Sequence, residues 1–244
     1  MSGVKWFRKT LLFVWAHPRV LGPWLLYFLF SLLGELVERP TAASSAAKIL
    51  LDGAGLFLLL PWLSATTLFA LEAAEAAQPL PLDEAARRGL QRTLPLVGLN
   101  LVIFLVVLVF LGPALAMYLA FRRTLVPVMV AGFILLGVLF VFLWVRLALA
   151  EAALVWTQTP ISQALGTSWA YTRRAFFPVL GVLLLAGGLP EGLGLLLGHV
   201  PVLGPLFSAA GSTAGALLAT VGLGYAYWDL DRLAKTASGA PPFE

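Results

Sequence analysis

Few residues of this 244-residue chain could do chemistry, and Glu191 stands out among them. It lies in the stretch Gly187-Gly188-Leu189-Pro190-Glu191-Gly192-Leu193-Gly194, between two long segments without charge. Counted from Pro178, it sits roughly 20 Å along a helix that rises ~1.5 Å per residue. A carboxylate at that depth in a bilayer is expensive and marks a functional site by default. Pro190 and its glycines predict a broken helix, the kind of backbone that lines a cavity or holds an ion. A structural reading competes with this one: Pro190 starts a helical turn, Glu191 sits at its positive end, and Arg122 or Arg123 pairs with it. Asn100, the single asparagine, lies one turn inside another apolar segment and predicts an interhelical hydrogen bond. Arg146 closes a further apolar segment, where it is expected to snorkel or to pair with Glu72, Glu75 or Glu151.

Other chemistries lack their residues. The chain has no cysteine, which removes disulfides, thiolate metal sites and cysteine nucleophiles. Its two histidines, His17 and His199, fall at opposite ends of the expected topology, so no metal site is predicted. No glycine-rich phosphate loop leads into a lysine. No nucleophile–base set is recognisable, so no enzyme activity and no cofactor are expected. The net charge of +4 is read as membrane orientation and not as nucleic-acid binding.

The elements that hold these residues are set by hydropathy. Hydrophobic residues make up 60% of the chain and charged residues 11%. Residues 94–121, 124–145, 175–190 and 192–228 are free of Asp, Glu, Lys and Arg. A hydrocarbon core of ~30 Å needs about 20 apolar residues of helix. The fold class predicted is all-α: a polytopic bundle of about six spans, at 20–37, 54–74, 95–121, 124–150, 178–199 and 203–228. The longest polar connections are 38–53 and 78–94. One membrane domain fills residues 1–244, with a disordered tail at 236–244. An even number of spans puts both termini on one side. With that side cytoplasmic, twelve basic residues lie inside and four outside, in keeping with the positive-inside rule. A multi-pass protein of the inner (plasma) membrane is therefore expected. Its arginine excess over lysine fits a bacterial source growing at high temperature.

Three stretches on the inner side share a design of amphipathic basic segment, proline, glycine and span. They are 5–17 with Pro18 and Gly22, 83–94 with Pro95 and Gly98, and 161–177 with Pro178 and Gly181. In the second, Ala86, Gly89, Leu90, Thr93 and Leu94 recur at helical spacing on one face, and Asp83 suits the N-cap. In the third, Thr159 suits the cap, Pro160 the first helical position, and Ile161, Leu165, Ser168, Trp169 and Thr172 the less polar face. In the first, Trp6, Phe7, Phe13 and Trp15 read as interfacial aromatics. Helices of this kind lie in the headgroup plane, which predicts three interfacial helices and three repeats, 1–77, 78–156 and 157–235. Their basic residues, Lys5, Arg8, Lys9, Arg87, Arg88, Arg92, Arg173 and Arg174, are the expected contacts to anionic lipid, at ~1 kcal/mol each near the surface.

The third stretch carries a resemblance. From Arg146-Leu147-Ala148-Leu149-Ala150-Glu151 through Pro160, Ala164-Leu165 and Ser168-Trp169 to Arg174 and Phe177-Pro178, it resembles the membrane domain attached to some glycerophosphoryl diester phosphodiesterases, and related stand-alone bacterial inner-membrane proteins. The likeness covers roughly 35 residues closely and the six-span layout loosely. It implies an all-helical membrane domain linked to lipid or envelope homeostasis. It supplies no catalytic residues, because the phosphodiesterase domain is absent from this chain.

Two functions follow as expectations. The first is a non-enzymatic membrane protein that binds membrane lipid, anionic lipid in particular, or a protein partner at the inner face. The second is a transporter, flippase or permease subunit that uses Glu191 in a broken span.

Overall fold

A computed structural model describes residues 2–37, 42–78, 80–121, 126–200 and 203–238. Inside a bilayer a backbone N–H or C=O finds no water, so an apolar segment has to satisfy these groups within itself, and the helix does so. Among the described residues ten α-helices result: α1 (Gly3–Ala16), α2 (Leu21–Val37), α3 (Ala42–Ala54), α4 (Leu60–Glu75), α5 (Leu82–Phe121), α6 (Val126–Leu147), α7 (Ala150–Thr157), α8 (Ile161–Val182), α9 (Leu189–Leu197) and α10 (Gly204–Ser238). A 3-10 turn, Pro18–Val20, joins α1 to α2. Two π-helical stretches, Gly55–Leu59 and Leu183–Gly188, weld α3 to α4 and α8 to α9. No strand occurs among the described residues. Among the described residues six rods are long and apolar enough to cross a membrane: Pro18–Leu36, Ala47–Glu75, Leu82–Val109, Leu136–Thr157, Ile161–Leu197 and Gly204–Thr236. The protein is an all-α integral membrane protein, as its hydropathy predicts.

The three basic stretches enter their spans in different ways. α1 ends at His17, whose φ of −124° and ψ of 61° are not helical, and Pro18 opens the following turn. α8 kinks at Ala175 (φ −129°, ψ 32°), three residues before Pro178, whose ring would clash with the carbonyl of residue 174 in a straight helix. α5 runs through Pro95 as one helix of 40 residues. At ~1.5 Å per residue it is about 60 Å long, twice the hydrocarbon thickness, so its charged first turns stand outside the bilayer.

Several expectations are corrected. Most of the polar connection 38–53 is helical, because α3 extends the second span with alanine, leucine and lysine, all strong helix formers. Asp83 is not a cap; α5 starts at Leu82, and Asp83 with Glu84 occupies the first turn. Pro160 is the N-cap of α8, one position earlier than expected. α10 continues to Ser238, so residues 236–238 are helix, and 239–244 lie outside the described residues.

The chain crosses back and forth so that α1, α7, the first turns of α5 and α8, and the last turns of α4 and α10 share one end of the bundle, called here the near end. The far end holds α3, α9, the end of α2 and the start of α10. The core lies toward the near end. Trp6, Leu63, Leu68, Leu71, Ala85, Leu149, Val155, Ala164, Val179 and Ala226 are all fully or almost fully buried there. α1 lies across α10. Trp6 Nε1 donates to Asp229 Oδ2 at 2.9 Å. Phe13 meets Tyr225 edge-on at 6.4 Å. Trp6 and Phe13 are therefore core residues, whereas Trp15 remains on the surface. α4 and α5 approach so closely that a Cβ on Gly89 would strike Thr66, its backbone nitrogen at 2.9 Å. This contact sets the buried face of α5 to Ala85, Gly89, Leu96 and Leu99, and Leu90 (66% exposed) and Leu94 (79%) point outward. The face read from periodicity is thus partly the wrong one, because apolar side chains in a membrane protein face lipid as readily as core.

Candidate functional site

The most developed polar arrangement at the near end is built where α6 stops. α6 ends at Leu147 and α7 starts at Ala150, which leaves backbone groups without helical partners. Ser168, fully buried on α8, satisfies two of them. Its Oγ donates to the Arg146 carbonyl at 2.7 Å and accepts from the Leu149 N–H at 3.1 Å. The hydroxyl thereby clamps α8 to the α6–α7 junction. One turn further along α8, Thr172 is buried and donates to the Ser168 carbonyl at 2.7 Å.

The same junction presents the Arg146 side chain. Its guanidinium carbon lies 4.9 Å from the centre of the Phe142 ring, 5.2 Å from Trp169 and 5.8 Å from Phe176. Such contacts hold a cation by the ring quadrupole, at about 0.5–2 kcal/mol each. Nη1 makes one long bond, 3.5 Å, to the Trp169 carbonyl, and the buried Nε has no partner. Arg146 forms no ion pair among the described residues, so the expected pairing with Glu72, Glu75 or Glu151 does not occur. The aromatic cage takes its place. A signal for it lies in the sequence: Phe142 and Arg146 are four apart on one helix, and Trp169 and Phe176 are seven apart on another, so each pair shares a face.

The expected lipid contacts spread over the near end. Lys5, Arg8, Arg87, Arg173 and Arg174 are exposed and form no ion pair with a described residue. Arg92 is half-buried on α5. Two members are already engaged within the chain. Lys9 Nζ pairs with Asp229 at 3.4 Å and lies 5.2 Å from the Tyr225 ring centre. Arg88 Nε pairs with Glu84 at 2.9 Å, one turn away on α5. A shallow cavity of about 320 Å³ opens beside α1 and is lined by Lys9, Phe13, His17, Glu75 and Tyr225 among others. His17 Nδ1 lies 3.1 Å from the Phe13 carbonyl of its own helix.

The intramembrane set does not assemble as one group. Glu191 lies in the first turn of α9 and is exposed, with no hydrogen bond or ion pair to a described residue. Arg122 and Arg123 lie outside the described residues, so the pairing expected of them does too. Asn100 is half-buried on α5 and makes no hydrogen bond with a described residue. The expected break at Glu191 is a widened turn. The π stretch Leu183–Gly188 leads straight into α9, and the Leu189 N–H bonds back to the Leu184 carbonyl. The wider turn makes room for Pro190, which lacks an N–H and would otherwise crowd the carbonyl before it. Leu60-Pro61 follows the other π stretch in the same way. Beyond Glu191, Gly194 and Gly211 bring α9 and α10 into backbone contact, since a Cβ on Gly194 would lie 2.8 Å from the Gly211 Cα. Gly192 faces open space, so only part of the expected glycine stripe packs.

Sequence reasoning missed a polar cluster at the far end. Lys48 Nζ lies 3.8 Å from both Glu35 and Asp52, and Ser208 donates to Glu35 at 3.3 Å. These residues are scattered over α2, α3 and α10, and no spacing in the sequence links them. Among the described residues no group of acids and histidines is placed to hold a metal ion. No protein family, curated protein or solved structure matches the chain.

Proposed function

We propose that the chain is a non-enzymatic protein of the bacterial inner membrane, with both termini cytoplasmic, that associates with anionic lipid at its near end. The observation that carries this reading is the surplus of positive charge there: Lys5, Arg8, Arg87, Arg173 and Arg174 are exposed and have no acidic partner among the described residues. They sit on helices that leave the spans at one end, where headgroups lie. A basic side chain near an anionic surface contributes ~1 kcal/mol, so five of them give a marked preference for acidic headgroups. The positive-inside rule gives the same end to the cytoplasm. A role in membrane or envelope homeostasis agrees with the likeness read from residues 146–178.

The test is reconstitution into nanodiscs of mixed phosphatidylglycerol and phosphatidylcholine, followed by release and native mass spectrometry. The intact protein retains phosphatidylglycerol over phosphatidylcholine, and replacing Lys5, Arg8, Arg173 and Arg174 together by Gln reduces that preference at least tenfold. Equal retention of the two lipids by the unaltered protein overturns the proposal.

A further inference from the structure

Arg146 stands at the mouth of an apolar groove, and the two together form a shape that fits one lipid. The groove has a volume of about 590 Å³ and is lined by Ile134, Gly137, Val138, Val141, Phe142 and Phe176. Phe142 and Phe176 are also two of the three rings against the Arg146 guanidinium, so the cation and the groove are continuous. From Phe142 to Ile134 the groove follows α6 for eight residues, about 12 Å at ~1.5 Å per residue. Its direction is from the near end into the bilayer. Val138 and Ile134 are exposed and apolar along its length. The order is therefore a fixed cation at the headgroup level followed by an apolar trough into the hydrocarbon.

We infer that this groove holds one anionic phospholipid, its phosphate on the Arg146 guanidinium and one acyl chain between α6 and α8. The inference rests on the lipid association proposed above and assigns it a particular site. Charge complementarity selects the occupant. Arg146 has no acidic partner among the described residues, and the one hydrogen bond of its guanidinium, from Nη1 to the Trp169 carbonyl, is long at 3.5 Å. A guanidinium forks onto phosphate oxygens with paired N–H groups. The rings fix its plane and the Ser168 clamp fixes the junction that carries it. A zwitterionic lipid would bring a second cation to a site that already has one and has no acid to receive it.

Three variants separate chain from headgroup. Gly137→Phe places a ring in the trough at a position where a Cβ meets no atom within 4 Å. Arg146→Gln removes the charge, and Arg146→Lys keeps it. All four proteins are taken through the phosphatidylglycerol and phosphatidylcholine nanodiscs and native mass spectrometry, with thermal stability read in parallel. One tightly held phosphatidylglycerol is expected on the unaltered protein. Its occupancy falls about fivefold or more in Arg146→Gln, the factor that ~1 kcal/mol for one basic side chain represents. Gly137→Phe shows a similar loss at unchanged stability, and Arg146→Lys an intermediate one. Unchanged occupancy in Gly137→Phe overturns the groove site and leaves the general lipid reading standing. A dimer that Gly137→Phe converts to monomer assigns the groove to a second copy and also overturns the site. Absence of any phosphatidylglycerol preference in the unaltered protein defeats both proposals together.

Discussion

The two ends of the bundle treat their described basic residues differently. At the far end, Lys48 lies between Glu35 and Asp52, and Ser208 adds a hydroxyl to the same group, so this cation is answered within the chain, while Glu191 stands exposed without a partner among the described residues. At the near end only part of the charge is answered. Lys9 has Asp229, Arg88 has Glu84 and Lys235 has Asp231. Lys5, Arg8, Arg87, Arg173 and Arg174 extend outward without such partners among the described residues. Packing differs between elements as well: α4, α7, α8 and the last half of α10 are buried against each other, whereas α6 leaves Ile134, Val138, Val141 and Trp144 exposed. The lesson is that rigidity and spare charge coincide. A surface cation on a well-packed helix loses little entropy when it meets a headgroup, because its backbone is already fixed.

That comparison can be broken by substitution. The largest effect is expected from glycine to alanine changes on the two kinds of surface. Gly89→Ala forces α4 and α5 apart and costs about 2–3 kcal/mol as overpacking, seen as a lowered midpoint in detergent thermal unfolding. Gly132→Ala on α6 meets no atom within 4 Å, and it is expected to leave the midpoint unchanged or to raise it by up to about 1 kcal/mol of helix propensity. Equal losses at both sites would erase the contrast in packing. Next in size is Ser168→Ala, which leaves the Arg146 carbonyl and the Leu149 N–H without their bonds and costs about 1–2 kcal/mol. Its stability loss should be accompanied by weaker protection of the Leu149 amide in hydrogen exchange. The smallest effects are expected at the far end. Lys48→Met should shift unfolding by less than about 1 kcal/mol, the range of partly exposed ion pairs, Glu191→Gln by about 0.5 kcal/mol or less, as at an exposed site, and both should leave phosphatidylglycerol retention unchanged. A change in lipid retention by either variant would show that the far end also selects lipid.

Much of the fold is legible in the sequence because run length and absence of charge report a span directly. Residues 94–121 and 192–228 need no partner to be read: the first lies within α5, and the second holds the end of α9 and most of α10. The faces of those helices are less legible. In water the apolar face of an amphipathic helix is its buried face; in a bilayer Leu90 and Leu94 point outward while Ser168, Thr172 and Thr66 are buried. Small and hydroxylated residues, not large apolar ones, mark the contacts here, since they let backbones approach and satisfy their hydroxyls within the helix. Of the candidate site, the basic residues and their common end could be read. The Arg146 cage could not be assembled by looking for an acid near it in depth, because the partners are rings on two helices.

The paired π turns at Gly55–Leu59 and Leu183–Gly188 have one more consequence. A π turn closes i→i+5 where an α turn closes i→i+4. Each thus takes up one extra residue, and everything beyond it is rotated by about 100° from where an unbroken 3.6-residue count would place it. They work as phase shifters. The stripe that α3 presents is not the stripe that α4 continues, and the stripe of α8 is handed to a different side of α9. A single rod can in this way hold one set of neighbours at one membrane surface and another set at the opposite surface, without a hinge between them.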